Sequence, residues 1–358
     1  MAEPLKVLQF VRGSERYGAS VSIKNLCYEL RARGHTVVPV LYKGRGLGAE
    51  FAEDFPIVEM VPYGKFSVRG IANIRDLIRR EKPDLVHAHL SAATLSGSFA
   101  SRLAGTPVIA TVHGMNSRWT YSFANRLITV SEAAKMHLVR QGISASRISV
   151  AYNGVAVPPA EALRGRKAMR ESLGLQEDAI VLGSISRADY GKGIQDAIAA
   201  VAMLVRRHPK VRFLFAGEGD CLESLKAQAK SLALDKHVRF LGFRTDVFDL
   251  LSAMDLFLFP SLKEAMGISI VEAMAMGLPV VASRTGGIPE VIDVESGILV
   301  PPNNAPALAE AVDCLLEDPD LMRAMGACAQ ARAAEKFSLE SSAIQVEEAY
   351  RLLLGKGQ

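Results

Sequence analysis

Apolar residues fall along this chain in short uninterrupted runs separated by segments of helical period. Residues 5–11 (LKVLQFV) form the kind of run that a parallel strand buried on both faces requires. A polar, Gly-containing loop over 12–20 follows. Next come an amphipathic helix over 20–33, closed by Gly34 and His35, and a strand over 36–42. That order is a right-handed β-α-β crossover unit. The alternation continues with a basic helix over 71–81, a strand over 85–88, a helix of small residues over 91–103, and strands over 107–112, 126–130 and 148–151. The first half therefore predicts one doubly wound α/β domain.

The pattern breaks over 153–166 (NGVAVPPAEALRGR), which reads as a linker, and then restarts. Strands are expected over 180–185, 211–216, 238–241, 256–259, 280–282 and 297–300. Helices are expected over 193–207, 221–232, 247–253, 305–316, 319–336 and 339–353. This is a second doubly wound domain. At 358 residues the chain is too long for one ordinary core, so two domains are also the expectation from size. Two facing α/β domains imply a cleft, with ligands at the carboxyl ends of the strands. The predicted layout is a domain over 1–157, joined by the closing helix 339–358, and a domain over 158–338.

One stretch, 263–283, departs from a plain core pattern. Glu264 precedes Gly267, an apolar run carries a second acid, Glu272, and Gly277 and Pro279 stop it. Between 267 and 276 the pattern is a short helix apolar nearly all round, hence buried. A buried helix opening at a glycine offers unpaired backbone N–H groups and the positive end of its dipole, which suits an anion. An acid in an apolar helix is costly unless paired or hydrogen-bonded. Taken alone, the stretch leaves two readings for Glu264 and Glu272: ligand contacts, or architecture and solvent.

Composition narrows the class. Hydrophobic residues make up 49% and charged residues 22%, as in soluble globular proteins. The chain opens without a basic-then-apolar leader, and no run approaches the roughly 18 apolar residues of a membrane span. Cys27, Cys221, Cys314 and Cys328 have no C-x-x-C spacing, so reduced thiols and a cytoplasmic location are expected. The net charge of +4 conceals an asymmetry: residues 1–160 hold 20 Lys+Arg against 11 Asp+Glu, and residues 161–358 hold 22 against 27. A basic first half suits an anionic partner, such as a phosphorylated acceptor or an anionic membrane surface met through Arg69, Arg75, Arg79, Arg80 and Lys82. Ordinary surface variation would give the same numbers. Nothing points to nucleic acid.

Several loops are candidate sites. RGSERYGAS (12–20) has the G-x4-G spacing, but Ala19 stands where a phosphate-binding loop needs Lys; Gly18 at the helix start still admits close approach to the backbone. GRGLG (44–48) lacks the strand-to-helix context of a dinucleotide site, which argues against a nicotinamide dehydrogenase. His87 and His89 are spaced i, i+2 with no nearby thiol or acid cluster, a poor metal site. Asp318 and Asp320 spell D-x-D but sit between two helices, where an N-cap is the simpler role. No metal is expected. His113 ends a strand, where it either donates to a ligand oxygen or is a satisfied structural histidine. Arg187 and Lys192 flank SRADYGKG after a strand and suit a diphosphate, or are a solvated pair. Glu218 and Arg244 lie in later loops of the same half.

These motifs, in this order, resemble a known family. EAMGISIVEAMAMGLPVVAS resembles the E-x7-E signature of retaining glycosyltransferases of the GT-B fold, family four in particular, and SRADYGKG resembles their R-x4-K-G donor loop. FLFPS, TGGIPEVI (285–292), YNGV (152–155), DLVHAH, TVHG and TVSEAAK (129–135) follow the same order, so the resemblance spans nearly the whole chain. It implies two Rossmann-like domains across a cleft, with a nucleoside-diphosphate sugar, UDP- or GDP-linked, held mainly by the second domain and no other cofactor. It implies that Arg187 and Lys192 meet the diphosphate, with the amides of Gly267 and Ile268 at the distal phosphate. Glu272 would hold the ribose and Glu264 the transferred sugar, with His113 near that sugar, Arg244 near the base, and Glu218 also at the donor. The family's first loop often carries paired glycines, whereas Tyr17-Gly18-Ala19 stands here, a departure that bears on acceptor contacts; Gly18 is placed with the donor-binding set.

The expected reaction is metal-independent transfer of a glycosyl group to an acceptor hydroxyl, on a lipid-linked or cell-envelope saccharide, at or near the inner face of the plasma membrane. Domain closure is expected to gate it. Stabilising the dianionic leaving group should dominate the catalysis. The resemblance implies retention at the anomeric carbon; no second carboxylate is placed as a nucleophile, so front-face attack is the expected route. Two rivals are a catalytically silent sugar-nucleotide-binding subunit and a GT-B sugar phosphorylase or isomerase. Donor hydrolysis separates the first from an enzyme. The second needs a different acid/base set or a cofactor lysine, neither of which is seen.

Overall fold

The computed structural model describes residues 3–11, 18–43, 55–61, 63–64, 67–159, 161–162 and 165–355. The loop over 12–17 and the glycine-rich 44–48 lie outside the described residues. The chain divides into two compact units, Met1–Gly154 with Ser338–Gln358, and Val155–Phe337.

The first unit is built on seven parallel strands: β1 (Lys6–Val11), β2 (Thr36–Tyr42), β3 (Val58–Met60), β4 (Leu85–His89), β5 (Val108–Val112), β6 (Arg126–Thr129) and β7 (Ile148–Val150). Their spatial order is β3-β2-β1-β4-β5-β6-β7. Helices α1 (Gly18–Ala32), α2 (Val68–Glu81), α3 (Leu90–Ala104) and α4 (Glu132–Arg140) make the connections. Most strand positions are apolar on both faces because helices cover both, and the unit accordingly has two cores. One, around Leu8, Phe10, Val86 and Ala110, lies under α2 and α3. Here α3 comes so close that a Cβ on Gly97 would stand 3.1 Å from the Phe10 ring. The other, around Val7, Val11, Leu85 and Ile109, receives Ile23, Cys27 and Leu30 from α1 and Ala343, Val346, Ala349 and Tyr350 from the last helix of the chain.

The second unit has six parallel strands: β8 (Ile180–Ile185), β9 (Val211–Ala216), β10 (Val238–Phe240), β11 (Leu256–Phe259), β12 (Val280–Ser283) and β13 (Gly297–Val300), ordered β10-β9-β8-β11-β12-β13. Its helices are α5 (Arg166–Ser172), α6 (Ile194–Leu204), α7 (Leu222–Ser231), α8 (Val247–Ser252), α9 (Ile268–Ala275), α10 (Ile288–Val291), α11 (Ala305–Glu317) and α12 (Pro319–Lys336). The final helix, α13 (Leu339–Leu354), belongs to the first unit. Ser338 caps its start and Gly355, at φ 68, ends it.

Most predicted elements are present within a residue or two of their expected bounds. Four were missed. The strand β3 has three residues at a sheet edge, too short to show a period. Helix α4 is capped by Ser131, which accepts from the Ala134 N–H, but its buried face is only Ala134 and Leu138. Helix α5 lies just past the segment read as linker and is anchored by charge: Arg170 donates to Asp255 at 2.7 Å, and Asp255 also accepts from the Val181 N–H at 2.7 Å. The four-residue α10 falls where only a turn was expected. Asp318 is an N-cap, accepting from Leu321 N–H at 2.9 Å, and Asp320 pairs with Arg323.

In both sheets the strand order reverses direction at one place, between β1 and β4 in the first unit and between β8 and β11 in the second. Loops diverge there, and a crevice forms at the carboxyl ends of the strands.

Candidate active site

In the second unit the crevice is lined by the loops after β8, β11 and β12. They are joined by backbone contacts. Leu262 N–H donates to Gly191 C=O at 2.8 Å, and Ser261 Oγ donates to the same oxygen at 3.1 Å. Gly193, at φ 69, ends the 3-10 turn Tyr190–Lys192 so close to the Pro260 carbonyl that any side chain would collide with it. Gly286, at φ 53, is pressed in the same way against the Glu264 carbonyl. Only glycine accommodates both the backbone angle and the approach.

This stitching delivers Lys192 and Glu264 to one point: Nζ lies 2.6 Å from Oε2, with both side chains largely buried. Glu264 Oε1 accepts from the Ala265 N–H at 2.9 Å, and the ammonium stands 5.7 Å from the centroid of the Phe259 ring. The carboxylate is thereby held by two donors and the ammonium by one acid and one aromatic face.

Immediately beyond, Gly267 adopts φ 92 and opens α9. The N–H groups of Gly267 and Ile268 donate to no backbone acceptor among the described residues. Their positive dipole end faces the crevice, as expected for an anion site. Glu272 lies one turn into this helix. It is partly buried, and its carboxylate has no hydrogen-bond or ion-pair partner among the described residues. Desolvation pushes its pKa up to about 7. A partly buried carboxyl group without a protein partner is open to hydroxyl donors.

Arg187 is more exposed and lies 2.8 Å from Asp189 Oδ2. Glu218, after β9, is exposed. The loops after β9 and β10 meet through Gly217 N–H to Gly242 C=O at 2.8 Å. Arg244, after the edge strand β10, is tied to Asp246, with Nε 2.7 Å from Oδ1. The structure thus brings together Lys192, Glu264, Gly267 and Ile268. It sets Glu218 and Arg244 progressively farther along the sheet edge.

In the first unit, Gly18 is the exposed first residue of α1. His113 follows β5. Its Nε2 lies 3.3 Å from His89 Nδ1, while its own Nδ1 is buried without a partner. Burial pushes the His113 pKa down to about 4. His87 and His89 are fully buried in hydrogen bonds to Thr111, Tyr350 and Gln9. Burial depresses both, His87 to about 3. Leu90, directly after His89, sits at φ 66, a left-handed conformation unusual for a bulky residue. Sequence reasoning missed Gln9, Thr111, Tyr350 and Gly286. The one readable signal was Gln9, a polar residue inside an otherwise apolar strand run. Among the described residues, no group of three or more His, Cys, Asp and Glu is arranged to hold a metal ion.

Residues 165–332 match the family model of glycosyl transferases group 1, and residues 17–157 match that of glycosyltransferase family 4. An alpha-D-kanosaminyltransferase of Streptomyces kanamyceticus is 30% identical over 319 residues, 81% of this chain and 82% of that protein. The chain belongs to the group 1, family 4 glycosyltransferases. An Escherichia coli UDP-Gal:alpha-D-GlcNAc-diphosphoundecaprenol alpha-1,3-galactosyltransferase is 29% identical over 230 residues, 58% of this chain and 59% of that one. Among solved structures, Anabaena Alr3699/HepE in complex with UDP and glucose matches this glycosyltransferase with a TM-score of 0.87 and 25% identity, over 97% of this chain and 99% of that chain. The GT-B fold expected from the motifs is the fold found.

Proposed function

We propose that the protein transfers a hexosyl group, with retention and without a metal, from a UDP- or GDP-linked sugar to a hydroxyl of a saccharide or lipid-linked acceptor of the cell envelope. The observation that carries this reading is the Lys192–Glu264 pair set before the unpaired amides of Gly267 and Ile268. One residue offers positive charge to a leaving diphosphate, the amides offer further donors, and the acid offers acceptors to sugar hydroxyls. Glu272, partly buried and unpartnered among the described residues, suits the two hydroxyls of a ribose. Arg187 would join the diphosphate by leaving Asp189. Support for the donor class comes from the UDP and glucose complex of the similar Anabaena protein, and support for a lipid-linked acceptor from the Escherichia coli relative.

Purified protein screened by thermal shift against UDP, GDP and their hexose conjugates tests the donor. A ligand at a hundred times its Kd adds about 2.7 kcal/mol of stability. One nucleotide family should raise Tm and its sugar conjugate should be slowly hydrolysed. No shift with any of them would overturn the reading. The anomeric configuration of the product tests retention.

An anionic membrane surface is the partner proposed for the first unit, from its excess of basic residues. Part of that charge is neutralised locally, since Arg75 pairs with Asp76 and Arg80 with Glu81. No helix among the described residues is long and apolar enough to cross a membrane. Co-sedimentation with anionic vesicles at low salt should capture the protein, and raising the salt should release it; no capture at low salt would rule the contact out.

A further inference from the structure

Five hydrogen bonds, four of them buried and the His113–His89 link partly so, run unbroken from His113 to Thr111. Parallel registry puts Gln9 beside His87 and His89 beside Thr111, on the same face of the sheet. Tyr350 reaches that face from α13, 341 residues after Gln9. The links are His113 Nε2 to His89 Nδ1 at 3.3 Å, His89 Nε2 to Gln9 Oε1 at 2.7 Å, and Gln9 Nε2 to Tyr350 Oη at 3.1 Å. Tyr350 Oη to His87 Nδ1 at 2.7 Å and His87 Nε2 to Thr111 Oγ1 at 2.6 Å complete them.

Each proton in this series can be assigned. The Gln9 oxygen only accepts, so His89 carries its proton on Nε2 and its Nδ1 is a bare lone pair. His113 therefore donates from Nε2, and its Nδ1 is bare as well. On the other side the Gln9 amide donates to Tyr350, whose hydroxyl proton then goes to His87 Nδ1, and His87 donates from Nε2 to Thr111. Reversing every link would leave an N–H on His113 Nδ1. That atom is buried without a partner, and an orphaned donor is rarer than an unfilled acceptor. His113 also lines a cavity of about 20 Å³ with His89, Thr111, Ser22, Asn153 and Ser342, room for about one water.

We propose that Gln9 and Tyr350 are positioning residues that fix the tautomer of His113, so that its Nδ1 accepts a hydrogen bond from a sugar hydroxyl instead of donating one. This rests on the glycosyltransferase reading for the identity of the hydroxyl, but not for the tautomer. The closing helix α13 thus supplies a link in the chain that decides what a histidine at the end of β5 offers to a ligand. The three histidines act as one neutral unit, kept so by burial.

Side-chain ¹⁵N NMR of the ligand-free protein at pH 7 tests it without any need for turnover. His113 is expected neutral, with the proton on Nε2. In Tyr350→Phe the Gln9 amide loses its acceptor and rotates to donate to His89, so His113 should move its proton to Nδ1. In Gln9→Met the chain is cut, and both tautomers of His113 should be populated. Turnover in Tyr350→Phe should fall about tenfold through kcat with donor KM within about twofold, the scale of one hydrogen bond. A wild-type His113 that is protonated on Nδ1, or doubly protonated, would overturn the proposal, even if neither variant folds. So would a tautomer unchanged in both variants. Failure of the nucleotide thermal-shift screen with the tautomer as expected would instead count against the donor reading alone.

Discussion

Lys192 Nζ and Glu264 Oε2 stand 2.6 Å apart, contributed by the loops after two strands that sit side by side in the sheet although 70 residues of chain separate the pair's hydrogen-bonding neighbours Ser261 and Gly191. In the ligand-free protein each satisfies the other. On the proposed function, a diphosphate arriving at the α9 terminus would compete for the ammonium, and sugar hydroxyls would replace the ammonium at the carboxylate. The pair would then hold two charged groups in register until substrate took them over.

Glu264→Ala is expected to abolish transfer while leaving nucleotide affinity within about threefold. Lys192→Ala should weaken the nucleoside diphosphate about tenfold or more, the range of a charge-assisted hydrogen bond. Isothermal titration with the nucleoside diphosphate measures both. If Glu264→Ala lost as much affinity as Glu272→Ala, the sugar-side role of Glu264 would be wrong.

Glu272 makes a prediction with two opposed signs. Its pKa of about 7 in the folded protein lies above its ordinary 4.5, so the folded state retains a proton that the unfolded state has released. Stability falls as pH rises from about 4.5 to 7 and is level above that. Glu272→Gln should remove this slope and raise Tm at pH 8, while weakening nucleotide binding. In the wild type, binding should weaken as pH drops below 7, because the protonated acid accepts fewer hydroxyl donors. Thermal melts and titrations from pH 5 to 8 check both halves. A variant no more stable than the wild type at pH 8 would contradict the desolvated state of this acid.

Gly286→Ala adds one methyl group where the Glu264 carbonyl already stands, at a φ of 53 that alanine disfavours. A cost of about 1–3 kcal/mol is expected from the strained backbone. Activity should fall further than stability because the displaced carbonyl belongs to Glu264 itself. Gly174→Ala, at φ 58 with nothing within 4 Å, is the control, expected to lose stability with kcat unchanged.

Far from either crevice, Glu347 on α13 accepts from Arg33 Nε at 2.7 Å and from His35 Nε2 at 3.0 Å, while His35 Nδ1 accepts from the Leu5 N–H. Burial alone would raise the acid's pKa, but these hydrogen bonds and charges bring it below 4.5. Its contribution is present above pH 4.5 and lost as pH falls through the lower folded value. Glu347→Gln should destabilise the first unit by about 3 kcal/mol, as for a broken buried pair. Denaturant melts at pH 7 should show that loss, with a smaller difference from the wild type at pH 3.

The sequence made the layered α/β architecture legible because buried parallel strands leave unbroken apolar runs such as VRFLFA and LFLF. In the candidate site of the second unit, Lys192 and Glu264 could be marked out from their loops, and the structure brings these two into contact. What stayed hidden depends on strand order and distance in sequence. Nothing local links Gln9 to Tyr350, and His87 and His89 read as a weak metal pair until a neighbouring strand and a distant helix supplied their partners. Likewise the pairing of Arg244 with Asp246, two residues away, shows only in the folded loop. Helix α5 was lost to the linker because its anchors, Arg166 and Arg170, meet Asp255 some 85 residues later.

Because α13 packs on the face of the first sheet over β5 and β6, that sheet cannot be finished when its own strands are finished. During synthesis the second unit has its whole chain while the first still waits, with Ile109, Ile128 and the Gln9 side chain part-covered, for α13 to emerge. The order of completion is the reverse of the order of translation, and a chain that stops short of Leu339 forfeits the half made earliest.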